Sequence, residues 1–142
     1  MVVAIDHCKK DELICEGKPT GVAATRDNHS LQVGHQIHVH LDEPAQIFAH
    51  SCEPNLYINN NEFGGYNFYA VRDIEPGEML AFHYGMSEAN SIAVSECHCG
   101  ADNCYGRSVG FKEAEPHLQH YLHDLGVADY LSRWYKHQMP SS

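Results

Sequence analysis

The feature that most constrains this chain is a run of three cysteines, Cys97-His98-Cys99-Gly100-Ala101-Asp102-Asn103-Cys104, set against one upstream cysteine in His50-Ser51-Cys52-Glu53-Pro54-Asn55. The Gly, Asp and Asn between the sulfurs supply turn chemistry that lets one loop aim several thiolates at a point. Zinc takes four tetrahedral ligands and favours thiolates, so three from one loop leave a fourth for the fold to bring in. His98 lies inside the run, but adjacent side chains diverge in an extended loop, which ranks it below Cys52 as that ligand. Six cysteines in 142 residues also permit a disulfide framework, which belongs to secreted chains. The start, Met1-Val2-Val3-Ala4-Ile5-Asp6-His7, has neither the basic region nor the sustained apolar stretch of a signal peptide. An intracellular protein, cytoplasmic or nuclear, is therefore expected. Cys8 and Cys15 stand apart from the cluster and read as buried structural thiols.

A formal charge of −10 with only nine Lys and Arg argues against phosphate contacts, so no nucleic-acid partner is expected. An acidic surface can attract a basic peptide, but a simply solvated acidic surface is the plainer reading. No apolar stretch approaches the length of a membrane span. An apolar content of 43% fits one globular unit with its own core.

The patterning is mostly β. Met1 to Glu16 reads as a strand, a Lys9-Lys10-Asp11 turn and a second strand at Leu13-Ile14-Cys15. Leu31, Val33, Ile37, Val39 and Leu41 alternate with Gln32, His38 and His40, and Gly34-His35 divides two strands. Gly64-Gly65 connects strands around Tyr57-Ile58 and Phe68-Tyr69-Ala70-Val71. The turn Glu75-Pro76-Gly77-Glu78 introduces a short strand, Met79-Leu80-Ala81-Phe82. From Glu113 to His137 the period becomes helical, with Leu118, Leu122 and Leu125 before Gly126 and Tyr130, Leu131, Trp134 and Tyr135 after it. That aromatic stripe suits the chain's own core or, less simply, a second copy in a homo-oligomer. His38 and His40 share a strand face and with His35 raise a second metal site; exposed strand histidines are the plainer reading.

Three of these pieces, in this order, resemble the SET-domain protein lysine methyltransferases. His50-Ser51-Cys52-Glu53-Pro54-Asn55 is similar to the family's NHSCxPN motif. Phe68 to Glu78, followed by Leu80-Ala81-Phe82-His83-Tyr84-Gly85, resembles its A-x-R-D-I-x-x-G-E-E-L-x-F-D-Y-G. The C-x-C-x4-C run is similar to the post-SET zinc loop. The resemblance implies a mainly β fold of small curved sheets with a knot-like crossing, a zinc-bound post-SET loop and a helical C-terminal tail. Its divisions would be a SET-like domain at 1–96, the zinc loop at 97–111 and a helical segment at 112–142.

By the same resemblance, Cys52 joins Cys97, Cys99 and Cys104 around a structural, coordinatively closed zinc. His50, Ser51, Phe111 and Tyr84 would bind the cofactor, S-adenosylmethionine. Tyr84 and Phe82 would be the catalytic positions. Phe82 resembles members that add more than one methyl group, because no hydroxyl there holds a water. Asn55 reads as the side chain that fixes the crossing loop. The substrate would be a lysine-containing peptide or a small-molecule amine, its amine made neutral in an apolar channel and aligned with the methyl donor.

Departures from the family pattern keep other readings open. The glycine turn G-x-G-V-F-A has no counterpart before Val2-Val3-Ala4-Ile5, Ala49 replaces the Asn that opens NHSC, and His83 replaces a common Asp. Two missing buried hydrogen bonds, at about 1–3 kcal/mol each, would weaken cofactor binding. A SET-fold enzyme diverged to a small-molecule (natural-product) substrate or to another reaction is the alternative. A non-catalytic, zinc-stabilised binding module is the third.

Overall fold

The computed structural model describes residues 2–23, 30–43, 45, 48–90 and 109–138. Cys97, His98, Cys99 and Cys104 lie outside the described residues, so the expected zinc loop is seen only from Val109 onward. Among the described residues, eight short strands form two small sheets. The larger holds, in spatial order, β1 (Leu13–Gly17), β7 (Tyr66–Ala70), β6 (Leu56–Asn60), β8 (Ala81–Phe82) and β5 (Ala49–His50). The smaller holds β2 (Pro19–Val22), β4 (Ile37–Leu41) and β3 (Leu31–Gly34) in that order. Two helices follow, α1 (Pro116–Leu125) and α2 (Asp129–Gln138), so the mainly β architecture with a helical C-terminal segment is what the chain adopts.

Strand alternation builds the core. Leu56 and Ile58 on β6 and Tyr66, Phe68 and Ala70 on β7 are all fully buried, while Tyr57, Asn59, Asn67 and Tyr69 between them face outward. The two strands pair antiparallel from Leu56↔Ala70 to Asn60↔Tyr66. Their connection is organised by Asn61, whose Oδ1 accepts from the Phe63 and Gly65 amides and whose Nδ2 donates to the Gly17 carbonyl. Gly65 passes so close to that carbonyl that an added Cβ would lie 2.2 Å from it, which explains a glycine here.

The expected alternation fails on β3 and β4 at two residues. Gln32 is buried and Ile37 is half exposed. A register shift between Gln32 and Gly34 marks a bulge that breaks the period of two. The Gln32 amide then faces inward, accepting from the Ala89 amide and donating to the Gly34 and His35 carbonyls. The first expected strand is also shorter than its pattern. Val3 and Cys8 form only isolated antiparallel bridges, to Met79 and Ile74, before a turn that places Asp11 at φ 67°. Cys8 and Cys15 are partly exposed, which corrects their reading as buried thiols.

The crossing that builds the site lies at β8. This strand pairs in parallel with β5 on one side and with β6 on the other, although β5 and β6 are neighbours in sequence. Residues 51–55 therefore carry the chain past β8. Asn55 clamps that passage, donating from Nδ2 to the Met79 carbonyl and accepting at Oδ1 from the Ala81 amide.

The C-terminal helices pack on the same core. Pro116 opens α1, where its missing N–H costs nothing. Gly126 ends it at φ 149°, with Ile58 O only 2.8 Å from where a Cβ would stand. Asn60 Oδ1, at the end of β6, accepts from the Asp129 amide and so caps α2. Leu118, Leu122, Tyr130, Leu131 and Tyr135 are buried, and Trp134 packs partly against them. The aromatic stripe thus covers the chain's own core.

Candidate active site

Phe82 and Tyr84 come together through β8 and the 3-10 turn Tyr84–Met86 that follows it. The Phe82 ring is buried between Phe68, 5.3 Å away, and Tyr84, 5.1 Å away. Tyr84 is half buried, and its hydroxyl donates to the Phe48 carbonyl at 2.8 Å. Burial first, and the Glu88 carboxylate second, push this phenol up to about 12. Tyr84 is consequently a neutral donor near pH 7, with lone pairs left on its oxygen.

His50 lies beside it. Its Nδ1 accepts from the Tyr84 amide at 3.1 Å, and its Nε2 lies 3.6 Å from the Cys52 sulfur. An imidazole that accepts at Nδ1 while neutral carries its proton on Nε2. Burial pulls His50 down to about 4, which keeps it neutral. The Cys52 thiol is itself buried. His83 repeats the pattern. It is fully buried, its Nδ1 accepts from the Gly85 amide at 2.9 Å, and its ring lies 4.6 Å from that of His50. Desolvation, then the neighbouring His50, pull it down to about 3. Its Nε2 has no hydrogen-bond partner among the described residues.

The other sequence candidates are placed differently. Ser51 donates its amide to the Phe82 carbonyl, while its hydroxyl bonds Glu53 two residues on and closes a local turn. Phe111 is fully buried, with Trp134 and Tyr135 packed edge-on against it at 6.1 and 5.6 Å. It joins the site region through its backbone, its amide donating to the Glu88 carbonyl. Gly110 ahead of it is squeezed against Ala89, whose carbonyl would be 2.3 Å from an added Cβ. Of the expected zinc ligands only Cys52 is described, and no group of three His, Cys, Asp or Glu able to hold a metal occurs among the described residues. His35 turns to Lys112, 3.2 Å from its Nζ, and packs edge-on against Tyr130, instead of joining His38 and His40.

Sequence reasoning missed three participants. The Phe48 carbonyl is a backbone group and leaves no mark in the sequence. A cavity of about 420 Å³ opens beside this residue, walled also by Val2, Ala4, Ile14 and Leu80. Gln32 and Glu88 form a buried pair, the Gln32 backbone N–H donating to Glu88 Oε2 at 2.7 Å. Ser87 Oγ donates to the same oxygen at 3.0 Å. Their polarity pointed to the surface, and the only available signal was the mismatch of Gln32 with the apolar residues around it.

A family model described as the SET domain matches residues 1–85. A tobacco (Nicotiana tabacum) histone-lysine N-methyltransferase, H3 lysine-9 specific SUVH1, is 39% identical over 69 residues, covering 44% of this chain and 10% of the relative. Methyltransferase flvH of Aspergillus flavus is 27% identical over 97 residues, covering 68% of this chain and 54% of the relative. Among solved structures, KRYPTONITE in complex with mCHG DNA and SAH aligns with a TM-score of 0.57 at 21% identity, over 74% of this chain and 26% of that one. The methyltransferase domain of human SETMAR aligns at 0.55 and 16% identity, over 75% and 52%. The chain thus spans about a tenth to a half of these proteins, and at such identities the structural likeness is one of fold.

Proposed function

The chain belongs to the SET domain family, and on that premise we propose that it is an S-adenosylmethionine-dependent N-methyltransferase acting on an amine, a lysine side chain in a basic peptide or a small-molecule amine. The observation that carries this reading is the pairing of the Tyr84 hydroxyl with the Phe48 carbonyl beside the buried Phe82 ring. S-adenosylmethionine, when bound, supplies a methyl group activated as a sulfonium.

The chain's own residues do the rest. Tyr84 is held as a neutral phenol, so it cannot serve as the base that removes the amine proton at neutral pH. Its oxygen lone pairs, fixed in direction by donation to Phe48, would instead be available to electron-poor C–H groups such as a sulfonium methyl. Phe82 and Phe68 keep water from this place and favour the neutral amine, the only form with a lone pair to attack. With phenylalanine at position 82 no hydroxyl anchors a water, which favours addition of more than one methyl group.

For the metal, we propose the zinc of the family's post-SET loop, held by Cys52 with Cys97, Cys99 and Cys104. The support is chemical: Cys52 is buried and has an imidazole N–H turned to its sulfur, an environment suited to a thiolate. The flvH relative is named as a methyltransferase with no substrate stated, so a peptide and a small amine both stand as substrates. The expectation of no nucleic-acid partner rests on charge alone, since the KRYPTONITE structure contains DNA.

The test is calorimetry with S-adenosylmethionine followed by methyl-transfer assays on a basic peptide and on small aliphatic amines. Binding with transfer to either is the expected result, and Tyr84→Phe should lower turnover about a hundredfold while leaving cofactor affinity nearly unchanged. No heat at millimolar cofactor with folded, zinc-supplemented protein would sink the methyltransferase reading and leave a SET-fold enzyme of another reaction or the non-catalytic binding module.

A further inference from the structure

We infer that the His50 side chain is a positioning element that couples the Cys52 sulfur to Tyr84, and that its ring is not part of the cofactor wall. This rests on the reading of Tyr84 as the reacting position. An imidazole has two nitrogens, and both are spent inside the protein. Nδ1 takes the Tyr84 amide and Nε2 faces the Cys52 sulfur. The ring is buried between the His83 and Tyr84 rings. A cofactor lying against this segment would therefore meet its backbone.

The geometry makes the linkage directional. A rigid ring fixes the distance between its two nitrogens, so a shift of the sulfur must rotate or translate the acceptor that holds the Tyr84 amide. The other end of Tyr84 is held by the same stretch of chain, because its hydroxyl donates to the carbonyl of Phe48, two residues before His50. Residues 48–52 thus grip the tyrosine at amide and hydroxyl together. What binds or releases the Cys52 sulfur is then felt at Tyr84, without touching the substrate pocket. The fully buried His83 at 4.6 Å restricts the ring from swinging away, since the space behind it is filled.

Two side chains separate the ends of this link. Asparagine at position 50 offers an oxygen near the place of Nδ1 and cannot reach the sulfur. Glutamine offers an N–H near the place of Nε2 and leaves the Tyr84 amide without its acceptor. In wild-type protein, nitrogen NMR of the His50 ring should show the tautomer protonated on Nε2; the Nδ1-protonated tautomer would overturn the inference even if no variant folds. Amide hydrogen exchange at Tyr84 gives the second readout. Cys52→Ala and His50→Gln should each speed exchange at least about tenfold, whereas in a His50→Asn background Cys52→Ala should change it by less than about twofold. An equal effect of Cys52→Ala in both backgrounds, or none in the wild type, would refute the coupling. His50→Asn should bind S-adenosylmethionine within about twofold of wild type, and a loss of about tenfold would return the ring to the cofactor wall. If no amine is methylated by the wild type, the methyltransferase reading falls while the tautomer and exchange results stand.

Discussion

At the scale of single residues, the site is decided by which ring atoms are spent and which remain. His83 replaces an acidic residue common in the family, and in sequence that looks like a modest change of polarity. In the fold it is a fully buried imidazole held neutral, with its folded value about 3 against an ordinary 6.5. The unfolded chain therefore takes up this proton first as pH falls. The stability that neutral His83 contributes is complete above about pH 6.5 and is lost progressively from there towards pH 3, at up to about 1.4 kcal/mol per pH unit. Urea midpoints measured between pH 7 and 4.5 should fall with acid, and His83→Gln should flatten the fall while lowering the midpoint at pH 7. An unchanged slope in that variant would place the acid sensitivity on other groups. Tyr84 behaves in the opposite sense, since burial keeps it protonated to about 12 and makes its role insensitive to pH near neutrality.

At the scale of elements, the determining piece is β8, two residues long and paired in parallel on both sides. So short a strand has few ladder bonds of its own, and Asn55 supplies the missing ones from the side. Asn55→Ala would leave the Ala81 amide and the Met79 carbonyl without these partners, the first of them buried, and should cost about 2–4 kcal/mol in chemical denaturation. A loss under about 0.5 kcal/mol would show that water replaces the amide there. The strand pairs around this clamp were legible from period and turn residues. The β6–β7 hairpin, the β3–β4 turn and the helical break at Gly126 stand where the pattern puts them. The pattern failed where a bulge turned Gln32 inward and Ile37 outward, because a period of two assumes an unbroken ladder.

At the scale of the whole molecule, the buried polar network joins parts that are remote in sequence. Gln32 on β3 bonds Glu88 and Ala89 after the site, Tyr66 on β7 donates to the Gln32 carbonyl, and Tyr130 on α2 donates to the Ser87 carbonyl. Both sheets and the last helix are thereby tied to the segment that carries Tyr84. Gln32→Leu strands the Ala89 amide and should lower global stability by about 1–3 kcal/mol, in a single cooperative transition if the network unites one unit. Loss of the helical signal ahead of the rest would instead show the C-terminal segment unfolding independently.

What the sequence alone determined is the local chemistry: strand and turn periods, the helical change after Glu113, the close spacing of three cysteines, and motifs that marked the neighbourhood of His50 and Tyr84. These follow from spacing and side-chain type, which are local properties. The tertiary structure decided which atoms meet. It brought the Phe48 carbonyl to Tyr84, turned both nitrogens of His50 inward, and buried Gln32, Glu88 and His83. Backbone acceptors and the satisfaction of buried polar groups depend on partners thirty to sixty positions away, and only the crossing of the chain past β8 brings those partners within bonding distance.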